Sequence, residues 1–81
     1  MVVSVQFHGG QRALTRTHEI QVPLQEDGRV SDVFVYVKNR YPDLKLSQEA
    51  VLVSVNDKVS TMNHVLNSAD RITFLPHIGG G

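Results

Sequence analysis

The sequence predicts an α+β roll, a mixed sheet of about five strands packed on one helix. Three observations predict it. Apolar residues, many of them β-branched, alternate with polar ones near the start of the chain, around Val53 and near the end. A single segment, Val30 to Tyr41, carries helix boundary signals. The length of 81 residues suits one small domain with a thin core, because a chain of this size buries only about 60–65% of the surface it exposes when unfolded.

Val3, Val5 and Phe7 alternate with Ser4, Gln6 and His8, which reads as a first strand. Gly9-Gly10 breaks the run and is expected to form a hairpin turn. Ile20, Val22 and Leu24 make the return strand. Pro23 has no N–H to give to a ladder, so the end of this strand belongs at a sheet edge. A loop follows at Gln25-Glu26-Asp27-Gly28. In the next segment Val33, Val35 and Val37 alternate as a strand would. Against that, Ser31 is a good N-cap and Asp32 sits where the helix dipole favours an anion. Val30 and Val35 have the spacing of a hydrophobic staple. Val33, Phe34, Val37 and Tyr41 share a helical face, Lys38 and Arg40 fall in the last turn, and Pro42 supplies a stop. The helix is the expected outcome.

Val51, Val53 and Val55 form the next alternating run. Asn56-Asp57 turns it back into Lys58-Val59-Ser60. The stretch from Thr61 to Asp70 is expected to anchor itself through Val65 and Leu66 before a tight turn. Arg71 to Leu75 is the last strand, with Ile72 and Phe74 on one face and Pro76 ending it. The first and last strands are expected to lie parallel at the sheet centre, joined by the helical crossover. This is the β-grasp arrangement. It assigns residues 1–78 to the domain and 79–81 to a flexible glycine tail.

Composition narrows the function. Hydrophobic residues make up 41% and charged residues 20%, the balance of a folded protein. Lys+Arg and Asp+Glu are 8 each, and no basic stripe points to nucleic acid or a membrane surface. With no cysteine there is neither a disulfide nor a thiolate nucleophile. The stretch Met1 to Val5 has no basic leader, and no apolar run is long enough to span a bilayer, so a cytoplasmic protein is expected. His8, His18, His64 and His77 are scattered without metal-ligand spacing, so no metal and no bound cofactor are expected. Gly9-Gly10 is not followed by a phosphate-loop pattern, and Ser31 lies in no nucleophile motif. The chain is expected to be no enzyme in its own right.

The tail carries the most specific signal: Phe74-Leu75-Pro76-His77-Ile78-Gly79-Gly80-Gly81. Together with Arg29-Val30-Ser31-Asp32-Val33, Arg40-Tyr41-Pro42-Asp43-Leu44 and Val53-Ser54-Val55-Asn56-Asp57, it resembles the MoaD/ThiS group of ubiquitin-like sulfur carriers over nearly the whole chain. Members of that group commonly end in Phe, an apolar residue, two prolines, two small apolar residues and Gly-Gly. Here His77 stands where the second proline is usual, and Gly79 replaces a small residue. Asn67-Ser68-Ala69-Asp70 lacks the glycine usual before the aspartate. The Phe7-His8-Gly9-Gly10 step is closer to the eukaryotic ubiquitin-related modifier that also carries sulfur for tRNA.

The resemblance implies a mechanism. A ubiquitin-activating-type adenylyltransferase would use ATP to join the Gly81 carboxylate to AMP. A persulfide or rhodanese-type sulfur donor would then leave a thiocarboxylate for an accepting enzyme, such as the large subunit of molybdopterin synthase. Gly79 and Gly80 would thread a narrow channel, since residues without a Cβ pass where others cannot. Leu75, Pro76, His77 and Ile78 would meet the partner. The alternative use of the same adenylate is a ubiquitin-like modifier joined through Gly81 to lysines of other proteins. The sulfur acceptor stays open among molybdopterin, thiazole, tRNA, an amino acid and a secondary metabolite.

Overall fold

The first strand, β1 (Val2–Gln6), is not joined to the second by a tight hairpin. A computed structural model describes residues 1–75 and places a short helix, α1 (Gly10–Thr15), between β1 and β2 (Glu19–Pro23). The crossover helix α2 (Val30–Arg40) follows, then β3 (Leu52–Val55), β4 (Lys58–Ser60) and β5 (Arg71–Leu75). The sheet order is β2-β1-β5-β3-β4. β1 and β5 run parallel at the centre, and every other pairing is antiparallel. This is the ubiquitin-like β-grasp fold, with β2 and its Pro23 at an edge as expected.

Alternation explains the sheet. Val3, Val5, Val22, Val53, Ile72 and Phe74 turn one face inward and are buried. Val30, Val33, Phe34 and Val37 of α2 are buried in the same core, at helical spacing. Phe34 meets Phe74 edge to face, with ring centroids 5.4 Å apart. Four buried apolar residues on one helical stripe outweigh the strand preference of three valines, of which Val35 is left 53% exposed. The Asn56-Asp57 turn joins β3 to β4 with φ of 52° and 70°, a pair of left-handed residues suited to a two-residue hairpin.

Four expectations need correction. Gly9-Gly10 is not a hairpin turn. Gly9, at φ 54°, is the N-cap of α1, and the amides of Gln11 and Arg12 bond the carbonyls of His8 and Gly9 to start that helix. Residues Gln11 to Leu14 are sound helix formers, but six residues show no apolar period. The N-cap of α2 is Arg29, not Ser31. The Asp32 carboxylate accepts the Arg29 N–H at 2.8 Å. The amides of Val30 and Ser31 donate to the carbonyls of His64 and Met62, so tertiary contacts satisfy donors that a Ser31 cap would have served. No staple joins Val30 to Val35, because Val30 is buried and Val35 faces out. In the anchor, Leu66 is buried, but Val65 is 41% exposed and instead bridges Arg29.

The expected boundary between residues 78 and 79 lies outside the described residues. Among the described residues no helix is long and apolar enough to cross a membrane.

Candidate functional site

The tail begins where β5 ends, so the site is built around Phe74 and Leu75. β5 is held on both sides. Toward β3, Leu52 pairs with Leu75 and Val53 with Phe74. Toward β1, the register runs Ser4 to Arg71, Val5 to Ile72 and Gln6 to Thr73. Past Gln6 the pairing with the β2 side continues, the Phe7 N–H donating to His18 C=O at 2.9 Å.

The parallel ladder sets the spacing of its own rungs. The Ser4 N–H donates to Asp70 C=O at 2.9 Å. Two residues per rung would bring the His8 N–H to Phe74 C=O. Instead the Gln11 side chain stands between them. His8 N–H donates to Gln11 Oε1 at 3.2 Å, and Gln11 Nε2 donates to Phe74 C=O at 2.7 Å. Gln11 is buried, and α1 holds it there. Within that helix the Thr15 hydroxyl donates to Gln11 C=O at 2.9 Å.

Beside this contact lies an apolar groove of about 280 Å³, lined by Leu14, Leu44, Leu46 and Leu75 with His8 and Lys45 at its margin. Leu44 and Leu46 are buried, while Leu14 is 54% and Leu75 40% exposed. Lys38 Nζ donates to Leu44 C=O and fixes that segment to the end of α2. Leu52, across the ladder from Leu75, is 55% exposed. An apolar surface therefore surrounds the root of the tail.

At the opposite end of β5 the Asp70 carboxylate accepts from the Asn67 N–H and from Asn56 Nδ2, which fixes the entry turn. Arg71 is paired to Asp57 at 3.0 Å on the surface. The Tyr41 hydroxyl raises the guanidinium of Arg40, and the Ser47 hydroxyl lowers the carboxyl of Glu49. Neither group lines the groove. Among the described residues no group of three His, Cys, Asp or Glu side chains could hold a metal ion.

Of the residues singled out from the sequence, Leu75 is in this site. Pro76, His77, Ile78, Gly79, Gly80 and Gly81 lie outside the described residues. Sequence reasoning missed Gln11, Leu14 and Leu52. Only the exposed leucines could have been flagged, since an apolar residue followed by no strong period is a weak surface signal.

The profile of the ThiS family matches residues 5–81. The molybdopterin synthase sulfur carrier subunit of Mycobacterium tuberculosis is 28% identical over 80 residues, spanning 98% of this chain and 96% of that protein. The small archaeal modifier protein 1 of Haloferax volcanii superposes with a TM-score of 0.81 at 12% identity, over 95% of this chain and 98% of that one. A complex of subunits 1 and 2 of the molybdopterin-converting factor of Helicobacter pylori contains a chain that superposes with a TM-score of 0.64 at 21% identity, with 100% of both covered. These two structural likenesses establish the fold.

Proposed function

The chain belongs to the ThiS family, and on that premise we propose that it is a sulfur carrier whose C-terminal glycine is activated by a partner enzyme. The observation that carries the reading is that the family match runs on past β5 through Gly80 to Gly81. The catalysis belongs to the partners, and this chain supplies the reacting atom.

The chemistry follows from the carboxylate. The Gly81 carboxylate is a poor acyl electrophile. Its oxygen attacks the α-phosphorus of ATP, pyrophosphate leaves, and the acyl group now carries AMP as a good leaving group. The terminal sulfur of a persulfide donor attacks the carbonyl carbon and AMP departs. A thiol then opens the resulting acyl disulfide, leaving the carrier with a thiocarboxylate and the donor sulfur as a disulfide with that thiol. The thiocarboxylate sulfur is the nucleophile passed to the acceptor. Gly79 and Gly80 give the chain a profile narrow enough to thread. Ordering such residues costs about 1–2 kcal/mol each. Leu75, with Leu14 and Leu52 around it, supplies apolar area that offsets this cost on docking, and Pro76, His77 and Ile78 extend the same contact.

A large accepting subunit is the partner this reading favours. The Mycobacterium relative is named as a molybdopterin synthase subunit, and the Helicobacter protein is described in complex with a second subunit. A cytoplasmic site of action goes with these partners. Intact-mass measurement tests the proposal. Incubation with the adenylating enzyme of the same organism, ATP and a sulfur source should replace one oxygen by sulfur at Gly81. If that enzyme is active on ATP and the mass does not change, the reading fails. Gly81-derived remnants on lysines of other proteins would instead point to use as a modifier.

A further inference from the structure

We infer that Gln11 is a positioning residue for activation of the C-terminus: its carboxamide replaces the last rung between β1 and β5 and so aims the tail. The inference rests on the carrier reading above and names a residue of that same site.

A backbone rung from His8 to Phe74 would hold β1 beside β5 up to the point where the tail starts. The carboxamide presents an N–H donor and a carbonyl acceptor in one plane, the two kinds of group a peptide presents. Inserted between His8 N–H and Phe74 C=O, it satisfies both while keeping the two strands apart by its own width. The bond to Phe74 spans 63 positions of sequence and is buried, so it is shielded from competing water. It acts one residue before Leu75, and Gly81 lies six residues beyond Leu75. The bond therefore fixes the point at which the tail leaves the sheet. The body of the domain docks through its surface whether or not this bond is made. What the bond changes is the fraction of docked complexes in which the carboxylate reaches the ATP site.

Two substitutions separate this role from general support. Gln11→Met keeps the length of the side chain and makes neither hydrogen bond. Gln11→Glu keeps the acceptor for His8 and loses the donor for Phe74. Both are assayed by ATP–pyrophosphate exchange with the adenylating enzyme of the same organism, at a temperature where circular dichroism shows each variant folded. The expected result is a fall in kcat of about tenfold for both, with KM for the carrier within about twofold of wild type. Amide exchange at His8, whose N–H loses its acceptor, should quicken about tenfold in Gln11→Met while that at Val22 stays unchanged. A merely structural role would lower the folded fraction, which raises KM and leaves kcat intact. That pattern overturns the inference, as does wild-type kcat in Gln11→Glu. If the wild-type protein supports no exchange at all, the carrier reading falls instead. The His8 amide then decides the strut alone, and unchanged exchange in Gln11→Met refutes it.

Discussion

Replacing Ala69 by glycine should make the domain more stable. Ala69 has φ 69°, in the left-handed region, at the turn that leads into β5. Its neighbours fix that conformation. The Ala69 N–H donates to Val2 C=O at 2.8 Å, and Asp70 accepts the Asn67 N–H at 2.8 Å. The backbone is thus held where a Cβ is unwelcome, at a cost of about 1–2 kcal/mol for a residue other than glycine. Ala69 is exposed, so its methyl group contributes no buried contact to lose. Glycine loses more chain entropy on folding, about 0.5–1 kcal/mol relative to alanine. The difference leaves a gain of about 0.5–1 kcal/mol. For a domain of this size that is about 3–6 °C in Tm. Thermal unfolding followed by circular dichroism measures it. Ala69→Val serves as the opposite control, because a β-branched residue is worse still at positive φ and should lower Tm. An Ala69→Gly midpoint at or below wild type would refute the reasoning, since no lost contact is available to excuse it.

Removing Gly80-Gly81 should abolish ATP–pyrophosphate exchange and leave Tm within about 1 °C, because the loss lies past the last strand. Phe74→Ala removes a fully buried ring and its edge-to-face contact with Phe34; denaturant titration should show a loss of about 3–5 kcal/mol. Leu75→Asp, placed on the outer face of β5 opposite Leu52, should raise KM for the activating enzyme about tenfold with little change in stability. Asp32→Ala loses the bond from the Arg29 N–H and should cost about 1 kcal/mol, read from the urea midpoint.

The parts that could be read from the sequence were those whose period exceeds noise. β3 and β5 bury alternate residues, β1 buries Val3 and Val5 with Ser4 between them, and Val30, Val33, Phe34 and Val37 bury one helical stripe. The parallel pairing of β1 with β5 followed from the single crossover. What stayed hidden depends on distant contacts. The start of α2 moved from Ser31 to Arg29 because carbonyls at positions 62 and 64 reach its free amides, and Arg29 Nη1 donates to Asn63 C=O. α1 has six residues and no apolar face of its own. Gln11 looks like any surface glutamine until β1 and β5 are seen to part beside it. Leu75 was singled out for its place before the tail, whereas its neighbours Leu14 and Leu52 come from elements that the chain brings together only on folding.

The central place of β5 has a consequence for the newborn protein. Without it, β1 and β2 form one two-stranded hairpin-like pair and β3 and β4 another, each too small to persist in water alone. A nascent chain still short of Leu75 therefore has no assembled body to offer. An enzyme that recognises the assembled body meets only chains whose translation has passed that point. The order of strands in the sheet thus makes assembly of the domain wait for the synthesis of β5.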